Sequence, residues 1–215
     1  MLDKSATHAY IANYGGGNFS VLPLLSDGYL GEVIQSVARA GTLGSNRARQ
    51  EMPHPHSMNF SPDYRFLIGC DLGTDAVVSY RYDSKTGKLA PAKSLHLPSG
   101  TGPRHFAFHP NGKFAFANGE LASSLTALNY NTGTGELSPI QTLSTLPKDF
   151  KGQSTTAETK VHPNGKFVYV SNRGHNSIAV FSVNPATGAI ALLGNDSTQG
   201  KTPRNFNIDP SGKYL

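Results

Sequence analysis

Tryptophan is absent from this 215-residue chain, cysteine occurs once, and charged residues make up only 15%. A single cysteine, Cys70, excludes an intrachain disulfide framework. It falls in a strand read as internal, so a buried, inert thiol is expected there rather than a nucleophile. No run approaches the roughly 18 apolar residues of a membrane-spanning helix. The opening Met-Leu-Asp-Lys-Ser-Ala-Thr-His lacks the apolar core of a secretory leader, so a cytoplasmic location with no membrane partner is expected. Net charge is +5, but no basic run of five or more and no aromatic-basic alternation accompanies it, which argues against nucleic acid. Steering of a small anion suits so modest a balance. Nucleophile elbows, His-Glu-x-x-His helices, phosphate loops and EF-hand spacings are all missing. Nothing calls for a cofactor. His54 and His56 have i, i+2 spacing without a third ligand, so no metal is assigned.

What is abundant is turn chemistry: 23 Gly and 14 Pro. One unit recurs as Phe60-Ser-Pro-Asp-Tyr-Arg-Phe66, Phe108-His-Pro-Asn-Gly-Lys-Phe114, Val161-His-Pro-Asn-Gly-Lys-Phe167 and Ile208-Asp-Pro-Ser-Gly-Lys-Tyr214. Its prolines Pro62, Pro110, Pro163 and Pro210 lie 48, 53 and 47 residues apart. Thr-Gly turns at Gly87, Gly135 and Gly188 keep a similar period, and the segments between are short, β-branched and aromatic. No stretch of ten or more residues has a helical period. Such a repeat predicts an all-β chain, a β-propeller of four-stranded antiparallel blades. In the second unit the strands are expected near residues 57–61, 65–70, 76–82 and 93–97.

His8–Asn13 aligns with the second strand of a blade, and the last residues with the first. The chain is therefore read as one partial propeller domain of about four blades. Residues 1–53 are an incomplete blade, 54–102, 103–154 and 155–202 are blades, and 203–215 are the first strand of another. Three arrangements fit: a piece of a longer propeller, which is the expected one, a closed four-bladed ring, or self-association of two chains into one ring. Open blade edges need a partner in each.

Propellers stack equivalent positions around one axis, so blades can be compared position by position. Six residues before the repeat proline stand His56, Arg104, Ala157 and Arg204, and five before it Ser57, His105, Glu158 and Asn205. Ten after it come Leu72, Glu120 and Arg173, with Tyr14 matching in the first unit. First strands leave one face and second strands return to it, so both sets converge on one channel mouth. One such His or Arg can simply cap a turn; the concentration of Arg, His and Glu indicates a polar pocket. His109 and His162, beside the repeat proline, are read as turn residues.

Gly102-Pro-Arg-His-Phe-Ala-Phe-His-Pro-Asn-Gly-Lys-Phe114, Asn118-Gly-Glu-Leu-Ala-Ser-Ser124 and Val170-Ser-Asn-Arg-Gly-His-Asn-Ser-Ile-Ala-Val-Phe181 resemble the seven-bladed propeller lactonases. That family includes bacterial propeller-type 6-phosphogluconolactonases and the fungal carboxy-cis,cis-muconate lactonising enzyme. The resemblance covers nearly the whole chain and implies a seven-bladed ring, a lactone hydrolase acting on 6-phosphogluconolactone, and a small anionic lactone as partner. It implies His56, Arg104, Glu120 and Arg173 as catalytic residues. His105, Glu158, His54, His175 and Arg204 are assigned to substrate binding.

Lactone hydrolysis needs a base for the attacking water and positive donors for the oxyanion. Glu120 or His56 fits the first role, Arg104 the second, and Arg173 a distal anion such as phosphate. A muconate-type isomerase is the alternative enzyme. A non-catalytic binding scaffold is the alternative outside enzymology, and the missing Trp-Asp signature speaks against the WD type.

Overall fold

A computed structural model describes all residues 1–215 and contains fifteen β-strands and no helix. It thus has no helix long and apolar enough to cross a membrane. The chain forms two compact units, residues 1–103 with 131–137 and residues 104–130 with 138–215.

In the first unit, β1 (His8–Asn13), β2 (Asn18–Pro23) and β3 (Gln35–Ala38) form a three-stranded antiparallel sheet. Next, β4 (Pro55–Phe60), β5 (Phe66–Asp71), β6 (Ala76–Tyr82) and β7 (Leu89–His96) form a four-stranded sheet in chain order. Every residue of β5 is buried, whereas β7 is mostly exposed, as a blade with inner and outer strands requires. Tyr10, Phe19, Val21, Met58, Phe60, Leu67 and Tyr80 make the core here. Gly69 has a packing role: a Cβ there would lie 2.5 Å from the tip of the Phe19 ring, so a strand glycine leaves room for the aromatic.

The second unit repeats the plan. One sheet holds β8 (Pro103–Phe108), β9 (Phe114–Gly119), β10 (Ser124–Tyr130) and β11 (Leu137–Ser144). The other holds β12 (Thr155–Val161), β13 (Phe167–Arg173), β14 (Ser177–Val183) and β15 (Ile190–Ser197). Phe116, Leu125, Val168, Val170 and Phe181 are its core.

The turn residues act as their types require. Gly112 and Gly165 take φ of +69° and +72°, the left-handed region that the repeat turn needs. His109 accepts from the Asn111 amide at Nδ1 and donates from Nε2 to the Gly165 carbonyl at 2.8 Å, so one turn is tied to the next. His162 does the same with Asn164 and the Gly212 carbonyl. Both histidines are turn residues, as the pattern indicated.

Three details differ from the sequence reading. The outer strand β7 starts at Leu89, four residues earlier than expected, because the Asp83 amide bonds the Lys88 carbonyl and pairing resumes at once with Leu89 opposite Tyr82. Residues 203–215, read as the first strand of a further blade, form no strand; a strand needs a ladder partner, and the backbone bonds here only close the Asp209–Tyr214 turn. Finally, Asp3 to His8 is itself a repeat turn that the pattern concealed, since Lys4 replaces proline and Ala6 replaces glycine. The Asp3 amide bonds the His8 carbonyl and the Ala6 amide the Asp3 carbonyl, as Ser61 pairs with Phe66 and Tyr64 with Ser61. Ala6 and Tyr64 both carry the left-handed φ, at 52° and 55°.

Asp3 holds that first turn together. Burial alone would raise its carboxyl, but the hydroxyl and amide of Thr7 and the amide and ring of His8 bring it down to about 2 from 3.8. The unfolded chain therefore binds the proton more tightly. The stabilisation is complete above about pH 4 and disappears as pH falls toward 2, which is worth roughly 2 kcal/mol. Denaturation at pH 6 and pH 2 should show wild type losing about that much more stability than Asp3→Asn. Equal losses would remove Asp3 from this role.

Cys70 sits wholly buried in β5, and burial pushes its thiol up to about 12. Iodoacetamide should leave it unmodified in the folded protein and label it fully in denaturant. Rapid labelling of native protein would contradict its packing.

Candidate active site

Strand ends place the polar residues. Arg104 and His105 lie at the start of β8, Glu120 follows β9, Ala157 and Glu158 lie early in β12, and Arg173 ends β13. All belong to the second unit, and the fold brings them together.

Glu120 is 2% exposed and sits between two guanidinium groups. Arg104 Nε lies 2.9 Å from its Oε2, and Arg173 Nη2 lies 3.1 Å from its Oε1. Arg104 Nη1 also donates to the Ala157 carbonyl at 2.6 Å, and Arg173 Nη2 to the Thr156 carbonyl at 2.9 Å. Burial pushes the Arg104 guanidinium down to about 10; Glu120 opposes that shift, while Arg173 and Arg204 add to it. Arg104 thus stays charged at neutral pH, and two guanidiniums face one carboxylate, with Arg104 and Glu120 buried and Arg173 partly so. Moreover, Arg173 Nε is buried without an acceptor. A buried donor of this kind is ready for an anion.

Gly174 lets this arrangement form. Its φ is +109°, and a Cβ would lie 2.2 Å from the Gln153 carbonyl oxygen, so only glycine can follow Arg173 into the turn.

Glu158, 3% exposed, belongs to a second cluster. His105 Nδ1 lies 2.8 Å from its Oε1, the Thr159 amide donates to the same oxygen, and Lys160 Nζ is 3.8 Å away. Asn205 Nδ2 donates to Oε2. Burial by itself would raise the Glu158 carboxyl, but the His105 hydrogen bond and charge, Lys160 and the Thr159 amide together hold it below the usual carboxylate range.

Four further assigned residues remain. His54 immediately precedes β4 of the first unit and His56 lies on it, both beside Tyr14. His54 is buried, stacked 4.1 Å from the Tyr14 ring; its Nδ1 lies 2.9 Å from the Tyr14 carbonyl and its Nε2 3.0 Å from Glu51. Both ring nitrogens are thereby engaged within the protein. His56 meets the Tyr14 ring edge to face. His175, in the turn after β13, bonds the Ser177 hydroxyl at 2.7 Å and packs on Phe150. Arg204 enters only through its charge on Arg104. No group of three or more His, Cys, Asp or Glu side chains is placed to hold a metal ion.

The sequence reading missed a set of braces. Asn118 Oδ1 accepts from the His105 amide at 2.8 Å, and the Ser171 hydroxyl accepts from the Glu158 amide at 2.9 Å. Cys70 likewise meets the Ser57 side chain. All three stand eight residues after the repeat proline, so the blade comparison that found Glu120 could have found them two positions earlier.

Comparison with known proteins identifies the family. Residues 1–215 match the family described as Lactonase, 7-bladed beta-propeller. A 6-phosphogluconolactonase of Bacillus subtilis is 41% identical over 214 residues, covering 100% of this chain and 60% of the relative. Among solved structures, a Lactobacillus plantarum protein superposes with a TM-score of 0.92 at 35% identity, over 98% of this chain and 60% of that one. The periplasmic gluconolactonase of Pseudomonas aeruginosa does so with a TM-score of 0.89 at 33% identity, with the same coverage. The chain therefore spans about 60% of the length of the relatives it matches.

Proposed function

Because this chain belongs to the lactonase family of seven-bladed β-propellers, we propose that it hydrolyses a sugar-acid lactone, with 6-phosphogluconolactone as substrate and 6-phosphogluconate as product. The observation that carries the reading is the cluster in which the Arg104 and Arg173 guanidiniums face the Glu120 carboxylate. Water adds to the lactone carbonyl, negative charge develops on its oxygen, and the ring C–O bond then breaks. A desolvated guanidinium is most effective where that oxyanion forms, and the product carboxylate bears the same charge. Arg104 supplies this stabilisation. The acceptor-seeking Nε of Arg173 suits the substrate's second anionic group.

Glu120, put forward with His56 as the base, has a different role here. Both of its oxygens face guanidinium nitrogens, so its charge orients Arg104 and Arg173. It is a positioning residue. The relatives' names favour hydrolysis over muconate-type isomerisation. A cytoplasmic location is part of the proposal, and fractionation checks it, since one structural neighbour is described as periplasmic.

The direct test is hydrolysis of freshly generated 6-phosphogluconolactone by the purified chain, measured against the spontaneous rate. Turnover proportional to protein concentration supports the reading. A rate no different from the spontaneous one overturns it.

A further inference from the structure

Two carboxylates in the second unit have unlike surroundings, and the difference assigns a base. Glu120 faces arginines; Glu158 faces an imidazole. With Glu158 ionised, its oxygens can only accept, so the 2.8 Å contact to His105 requires a proton on Nδ1. In its neutral form, the ring with this tautomer carries its lone pair on Nε2. His105 keeps 24% of its side chain exposed, so solvent reaches it.

The pair is also held rigidly. The His105 amide bonds Asn118, whose Nδ2 donates to the Ala157 carbonyl at 2.8 Å, and the Glu158 amide bonds Ser171. Arg104 grips the same Ala157 carbonyl. Consecutive residues of β8, Arg104 and His105, are thus tied to consecutive residues of β12, Ala157 and Glu158. Oxyanion donor and imidazole share one scaffold. A carboxylate that fixes the tautomer and orientation of an imidazole is a recurrent way of making histidine an effective base.

We propose that His105 is the general base of the reaction and Glu158 its positioning carboxylate, an assignment that rests on the lactonase reading. Nε2 takes a proton from water as the water oxygen bonds to the lactone carbonyl carbon, and the carbonyl π electrons move to the oxygen beside Arg104. When the carbonyl re-forms, the ring C–O bond breaks and the proton passes from Nε2 to the departing alkoxide. The product is the open hydroxy acid, and no other reactant is needed.

The test compares wild type with His105→Ala, His105→Gln, Glu158→Gln and Arg104→Ala, each checked for folding by circular dichroism. His105→Ala should lower kcat about 10²–10⁴-fold with KM within about threefold, and added imidazole should restore part of the rate. Glu158→Gln should lower kcat about 10²-fold or more. Nitrogen NMR of the histidines should show His105 protonated at Nδ1 in wild type and should lose that signature in Glu158→Gln. If His105→Ala keeps wild-type kcat while Arg104→Ala is impaired, the base assignment falls and the lactonase reading stands. If wild type shows no hydrolysis, both fall together.

Discussion

Arg104→Ala should lower kcat/KM for lactone hydrolysis by about 10²–10³-fold, the usual cost of one preorganised oxyanion donor. The size follows from burial. Arg104 is 2% exposed, and its guanidinium is held by the Ala157 carbonyl and by Glu120, so it needs no reorganisation when charge develops. Arg104→Lys keeps the charge but loses the planar fork that meets both partners, so it should recover only part of the rate. Steady-state kinetics on both variants, with denaturation midpoints alongside, separate catalysis from stability. Retention of activity within about threefold in Arg104→Ala would remove it from the chemistry.

Glu120→Gln should destabilise the fold by about 3–5 kcal/mol, although the two side chains have nearly the same shape. Removing the carboxylate charge leaves Arg104 buried and Arg173 only 14% exposed, with no counter-charge in contact. That loss is a large share of the roughly 5–15 kcal/mol that stabilises a typical domain. Urea titration measures it through the midpoint. Adding Arg173→Met to Glu120→Gln should give back part of the lost stability, because one of the two stranded charges is gone. A Glu120→Gln midpoint indistinguishable from wild type would mean that water reaches these guanidiniums.

The sequence was most informative where structure is local. Pro-Asn-Gly-Lys specifies its turn through a preset φ, a side chain bonded to nearby backbone and a residue that accepts positive φ, all within four positions. Strand existence followed from the same punctuation. The degenerate Asp3–His8 turn escaped because Lys4 and Ala6 supply neither signal, although Asp3 makes the same bonds.

The clustering of polar side chains was legible for a related reason: a repeat makes residues some 50 positions apart equivalent, so Arg104, Glu120, Glu158 and Arg173 could be picked out by alignment of blades alone. Their roles could not. Whether Glu120 met a histidine or two arginines, and whether His105 met Glu158, depends on distances across strands that no spacing records. Composition and turn order were written in neighbouring residues. The charge pairing that separates a positioning carboxylate from a base arose only when β8, β9, β12 and β13 packed, because electrostatic interaction depends on ångström-scale separation and on the exclusion of water.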